Sequence, residues 1–225
     1  MTPMSPPAPV EIVEAVQHLP SGASLVIAQV AWDEYERVLE ELSDRPGLRV
    51  SYDRGRLEIM SPLSEHGEYA SLIEDLVRAA CQVFHLRLEK RANATWKRRT
   101  LSRGVEADAS YYIENAARII GKRKIDLESD PPPDIVVEID ISNDSLPKFP
   151  IYAALGVPEI WRYDGHTCHF YRLVRDKYVE GRASRFLPAL TGQVISEAIE
   201  LGKTRGQDEA LLAFRRKLQR QLRAK

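Results

Sequence analysis

The stretch PPPDIVVEIDISNDSLPKFPIYAALG, residues 131–156, holds the decisive pattern. Three consecutive prolines rigidly present the segment after them, because each fixes φ and removes a backbone donor. From Asp134 to Ile141 residue types alternate: Ile135, Val137, Ile139 and Ile141 form an apolar face, while Asp134, Val136, Glu138 and Asp140 point the other way. A period of two predicts a strand. The spacing then predicts a short helix from about Pro147 to Leu155, stopped by Gly156 and Pro158. Pro147 and Pro150 fit there because the first four N–H groups of a helix have no intrahelical partner. Ile160–Tyr163 and Thr167–Leu173 read as a hairpin across Asp164-Gly165.

Outward from this segment, a second alternation runs through Val105–Ile113, with Asp108 on its polar face. Glu65 to Phe84 is the clearest helix, since Tyr69, Leu72, Ile73, Leu76, Val77, Ala80 and Phe84 form one stripe. At roughly 100° per residue Glu65 falls inside that stripe and Glu68 outside it. Trp32–Leu42 also has helical spacing, and Ser43-Asp44-Arg45-Pro46-Gly47 stops it. Leu48–Tyr52 and Arg56–Met60 predict a hairpin around Asp53-Arg54-Gly55. Arg87–Thr95 reads as a strand leading into the basic cluster Lys97-Arg98-Arg99, and Asp208–Leu222 as an amphipathic helix within a basic C-terminal segment.

A chain of 225 residues fits one domain with extensions. The expected division is an N-terminal extension, partly disordered, over 1–24, a nuclease-like domain over 25–190 and a basic helical extension over 191–225. Residues 1–9, rich in proline, read as a mobile tail. Two cysteines, Cys81 and Cys168, are too few for a disulfide scaffold and suit a reducing cytoplasm. No apolar run approaches the roughly 20 residues that cross a bilayer, and the N-terminus lacks the pattern of a secretory signal. A net charge of −1 gives no global attraction to nucleic acid, so any such attraction must be local.

The chemistry concentrates in the two acidic strands. Carboxylates on neighbouring strands repel unless compensated. A hard divalent cation, which needs converging oxygen ligands, resolves the conflict and can polarise a phosphoryl oxygen. Glu138 can meet Asp108 if the strands are neighbours, and Lys148 stands where its ammonium can reach them. The plainer alternative is the solvated face of an antiparallel sheet, which produces the same alternation.

The order GRLEIMSPLSEHGEY, VEADASYYI, PPPDIVVEIDISNDSLPKFPIYAALGVPEIWRYDG resembles the Uma2 family, endonucleases of the PD-(D/E)XK type, over about Ala31 to Leu190. The resemblance implies an α/β, restriction-endonuclease-like mixed β-sheet core flanked by helices, with N- and C-terminal helical extensions. It also implies a Mg²⁺- or Mn²⁺-dependent site that cleaves DNA, in a protein that is often a homodimer. By position Asp108 corresponds to the metal-binding aspartate, Glu138 to the acidic residue of the central strand, and Lys148 to a lysine moved to the following helix. Glu65 or His66 corresponds to the helix position that adds a ligand or contact. Two residues depart from the pattern: Ala107 replaces the usual proline, and Asp140 stands where D/E-x-K spacing has lysine. Asp140 can add a ligand or disturb the charge balance. These departures motivate a competing reading, a catalytically lapsed module that binds nucleic acid or a protein partner.

Lys97, Arg98 and Arg99 are candidates for phosphate contacts, against the alternative of a solvated charged surface. His85, His166 and His169 lack partners in the pattern. Ser145-x-x-Lys148 matches a serine acyl-enzyme motif without its companions. A glycosidase reading would need an aromatic-rich groove, and aromatic residues are 8% of the chain.

Overall fold

A computed structural model describes residues 9–43, 47–92, 94–141 and 147–223. In chain order its elements are α1 (Pro9–Gln17), β1 (Ser24–Ile27), α2 (Trp32–Glu41), β2 (Arg49–Asp53), β3 (Arg56–Met60), α3 (Ser64–Val83), β4 (Glu89–Lys90) and β5 (Thr95–Arg98). Then come β6 (Arg103–Glu106), β7 (Ala109–Tyr112), α4 (Ala116–Ile119), β8 (Ile135–Ile139), α5 (Phe149–Leu155), β9 (Glu159–Tyr163), β10 (Cys168–Val174), β11 (Lys177–Gly181), α6 (Gly192–Arg205) and α7 (Gln207–Arg223).

The strands form two sheets. One has the order β1-β3-β2-β6-β5, the other β11-β10-β9-β8-β7-β4. The second is mixed: β8 and β9 run parallel, which requires a crossover, and α5 supplies it. One face of this sheet shares a core with α3, α6 and α7, through residues such as Leu76, Val137, Trp161, Ile195 and Phe214. On the other face, α5 packs together with residues of β5 and β6, through Trp96, Val105, Val136, Tyr152 and Ile160. The first sheet has its own core with α1 and α2. The segment 191–223 therefore shares the main core, and α1 of the N-terminal segment is packed through Ile12, Val13 and Val16.

Local chemistry explains most elements. Arg54 and Gly55 both adopt positive φ, so the two-residue β2–β3 loop matches the right-handed strand twist. Gly104 in β6 is required by close approach, because a Cβ there would meet the Tyr35 hydroxyl at 2.0 Å. α5 carries proline in its first turn and ends at Gly156 with φ of 78°.

Several expectations change. Val105–Ile113 is not one strand: it breaks at Ala107 and Asp108, where the chain leaves the first sheet and enters the second. Arg87–Thr95 resolves into the short β4 and the start of β5, in different sheets. The solvated-face alternative fails, since every residue of β8 is buried. Elements β1, α4 and β11 do not follow from the pattern. Residues 1–8, 44–46 and Ser145, parts of the expected tail, helix stop and serine motif, lie outside the described residues.

Candidate active site

The break after β6 lies at the mouth of β8. Asp108 donates its backbone N–H to the carbonyl of Val137 (3.1 Å), and its Oδ2 accepts the N–H of Ile139 (2.8 Å). Its carboxylate thus replaces the ladder bond that a continuing strand would make, which is why β7 starts one residue later. The β7–β8 register ends with Ala109 paired to Val137, and Asp108 bonds the backbone on both sides of Glu138, whose carboxylate feels its charge. Arg49, opening β2 of the other sheet, reaches across to Asp108 with Nε 3.3 Å from Oδ1. The side chain of Asp108 is only 2% exposed.

Glu138 shares its side of β8 with Val136 and faces α5. Lys148 occupies the N-cap of α5, and Tyr152 lies one turn on, its N–H bonded to the Lys148 carbonyl at 3.0 Å. Residues four apart lie on one helix face, and these two divide the carboxylate. Lys148 Nζ donates to Oε2 at 2.5 Å, while the Tyr152 hydroxyl donates to Oε1. A cation at a helix N-terminus has the wrong sign for the helix dipole. The carboxylates beside it offset that cost.

At the first turn of α3 the structure separates the two candidates left open by the sequence. Glu65 is exposed, while His66 is buried, at 4%. Both fall within the apolar sector of the wheel, but position 66 lies nearer its centre, and a neutral imidazole tolerates burial better than a carboxylate. Asp108, Lys148, Asp140 and Arg49 all act electrostatically on His66, and its Nδ1 has no hydrogen-bond partner among the described residues.

Asp140 turns to the neighbouring strand, where Arg162 bonds its Oδ2 through Nε (2.8 Å) and Nη2 (2.7 Å). Asp134, the other acid of this stretch, is structural: it accepts from the N–H groups of Ile113 and Asn115 and from Asn115 Nδ2. The basic cluster is engaged elsewhere. Lys97 and Arg99 bond acids of α2, and Arg98 bonds the Leu127 carbonyl.

Burial pushes Glu138 up to about 6; Lys148 pulls it down, and Asp108 adds to the rise. At neutral pH it is mostly ionised. Burial also works against the Lys148 ammonium, but Glu138 and Asp108 outweigh it and its pKa rises above the usual lysine value. Lys148 is therefore a cation here, not a free amine. Burial lowers the His66 pKa, partly opposed by Asp108, so its imidazole is neutral.

The compensation that the sequence reading gave to a metal is thus supplied in part by the chain, through Lys148 and Arg49. A Mg²⁺ ion keeps several waters and takes one or two protein carboxylates. Asp108 and Glu138 match that donor set, and His66 feels the charge of Asp108. Among the described residues no group of three or more His, Cys, Asp or Glu side chains converges as a metal cage. The residues fit a sparse two-carboxylate site.

Sequence reasoning did not assign Arg49 or Tyr152. Tyr152 was detectable by its spacing of four from Lys148. Arg49 carries no local signal, because its contact depends on how two sheets meet.

Among the described residues no helix is long and apolar enough to cross a membrane. The Uma2 family model, described as "Putative restriction endonuclease", matches residues 32–202. No curated protein matches the chain. A crystal structure described as a "putative nuclease belonging to DUF820", from Anabaena variabilis, shares the fold. Its TM-score is 0.50 at 15% identity, covering 75% of this chain and 98% of that one. The fold class is α/β, restriction-endonuclease-like.

Proposed function

From the premise that this chain belongs to the Uma2 family, we propose that it is a divalent-metal-dependent endonuclease that hydrolyses DNA phosphodiester bonds. The observation that carries the reading is Asp108 bonded to the backbone on both sides of Glu138, at the Val137 carbonyl and the Ile139 N–H, with the Lys148 ammonium 2.5 Å from the glutamate. Asp108 and Glu138 are the residues to hold Mg²⁺ or Mn²⁺, and His66, in place of Glu65, is the accessory contact beside them. When bound, such an ion supplies Lewis-acid charge stabilisation at a phosphoryl oxygen.

The chain's own residues do the rest. The Ile139 N–H and Arg49 fix the Asp108 carboxylate, so it need not reorganise during reaction. Tyr152 locks one oxygen of Glu138 and leaves the orientation of the other to Lys148. As a permanent cation Lys148 orients an attacking water through Glu138 and offsets charge building on the phosphate; it is not the general base. Arg49 presents a second cation for a non-bridging phosphate oxygen.

The lapsed-module reading rested on Ala107 and Asp140. Asp140 is neutralised by Arg162, so it does not upset the balance between Asp108, Glu138, Arg49 and Lys148. Incubating purified protein with supercoiled plasmid and Mn²⁺ or Mg²⁺ tests the proposal. Nicking is expected, and it should vanish in Asp108→Asn and with chelator. Nicking at the wild-type rate by Asp108→Asn would falsify the site.

A further inference from the structure

A cleft of about 520 Å³ opens between α2, β5 and the segment after α4. Five of its lining residues are cationic, Arg91, Lys97, Arg99, Arg123 and Lys124, against three acids. Glu36 accepts from Lys97 and Arg99, whereas Glu128 and Asp126 accept only from neutral donors, the Thr100 hydroxyl and the Glu128 N–H, and keep their charge; five cations against three acids leave the lining an excess of two positive charges. Arg123 and Lys124, by contrast, are exposed and make no ion pair among the described residues. The indole N–H of Trp96, a residue only 2% exposed that lines the cleft, also lacks an acceptor among the described residues. The cleft therefore has spare donors and spare positive charge, and an occupant must bring acceptors and negative charge.

Its position relates to the candidate active site. Thr95 in the cleft wall donates to Glu106 Oε1, whose Oε2 accepts the N–H of Val50. Glu106 is two residues from Asp108, and Val50 follows Arg49. Two residues span at most roughly 7 Å, and directly opposed strand residues lie about 5 Å apart. The cleft wall thus comes within a few nucleotide spacings of Asp108.

We propose that this cleft binds the phosphodiester backbone of a nucleic-acid strand, with Arg123 and Lys124 as its phosphate contacts. The assignment rests on the nuclease reading for its choice of polyanion. It moves the expected contact away from Lys97-Arg98-Arg99, where Lys97 and Arg99 are ion-paired with acids of α2 and Arg98 is bonded to the Leu127 carbonyl, to two residues that the sequence did not single out.

Fluorescence anisotropy of a short labelled DNA strand with EDTA present tests it without cleavage. Replacing Arg123 and Lys124 together by serine should weaken binding about 5–10-fold and flatten the log–log salt slope by about 1.4, the loss of two single-strand contacts. The control changes Lys177 and Arg182 to serine; both lie at the opposite edge of the six-stranded sheet, and binding should stay within about two-fold. Unchanged affinity in the Arg123/Lys124 variant overturns the proposal, as does an equal loss in the control. Wild-type protein that binds a polyglutamate peptide but not DNA also overturns it, and makes the cleft a protein-docking site. The two readings fail separately. Loss of DNA binding in the double variant with no Mn²⁺-dependent nicking by wild type sinks the nuclease reading and keeps the cleft. Nicking by wild type with unaltered binding in the double variant does the reverse.

Discussion

Two glutamates on neighbouring parallel strands, Glu138 on β8 and Glu159 on β9, are both buried, and burial raises the pKa of both. Their surroundings differ in kind. Glu159 accepts from Trp161 Nε1, Ser184 Oγ and the Arg185 N–H, each at 2.6 Å, and Ser184 in turn takes the N–H groups of Phe186 and Leu187. All three donors are neutral dipoles, Trp161 on β9 itself and Ser184 and Arg185 in the loop after β11, with the Arg172 guanidinium farther off at 4.0 Å, so the carboxylate pins that loop to the sheet and its lone pairs are used. Glu138 instead meets a lysine, a phenol and a second carboxylate. Placing two acids together serves no packing purpose that one would not serve better. A buried carboxylate closed by dipoles is a fastening; one balanced by a flexible cation beside another acid can exchange partners.

The largest effect separates these roles directly. Glu138→Gln and Glu159→Gln are equally isosteric. In a plasmid-nicking assay with Mn²⁺, Glu138→Gln should lose at least about 10³-fold in rate, about 4 kcal/mol of barrier. Lys148→Met should lose about 10²–10³-fold, the scale for removing one electrostatic stabiliser. Glu159→Gln should stay within about two-fold per folded molecule. Equal losses at Glu138 and Glu159 would erase the distinction and remove the active site with it.

Stability should rank the two residues the other way. Glu159→Ala leaves three buried donors unsatisfied at about 1–3 kcal/mol each, so a total near 3–5 kcal/mol is expected after partial relaxation. Urea denaturation reads this as a lower midpoint at unchanged m-value. A cost below about 1 kcal/mol would mean that water replaces the carboxylate, and the fastening role would be wrong.

How much of this was legible varies with the range of the interaction. Strand β8, helix α5 and the hairpin after them were readable, because alternation, prolines and Gly156 act locally. The pairing of Asp108 with Glu138 was readable only as a conditional, since neighbouring strands are a tertiary fact. The break at Asp108 was hidden. The alternation from Val105 to Ile113 runs through it without interruption, and only the long-range bond from the Ile139 N–H ends the ladder there. At the start of α3 the wheel admitted both Glu65 and His66, and burial decided between them. Lys97-Arg98-Arg99 looked like a ligand surface because its partners, Asp33 and Glu36, lie some sixty residues away.

The smallest effect tests how Glu138 is poised. Its pKa stands at about 6 in the fold against an ordinary 4.5, so the native state holds this proton more tightly than the unfolded chain. The resulting stability is fully present below the unfolded pKa and is lost as pH rises through about 6, a span of about 2 kcal/mol. Denaturation midpoints of metal-free wild type should carry this fall between about pH 4.5 and 6, and Glu138→Gln should lack that component. Activity has the opposite sign, because holding a cation needs the ionised form: with metal well below saturation the acid limb should centre near pH 6, and added metal should move it lower. Tyr152→Phe removes a donor that favours the ionised carboxylate, so it should move that limb to higher pH while costing less than about ten-fold at neutral pH. A limb that stays in place would mean that the phenol only fills space beside Glu138, and that Lys148 alone decides how readily the glutamate gives up its proton.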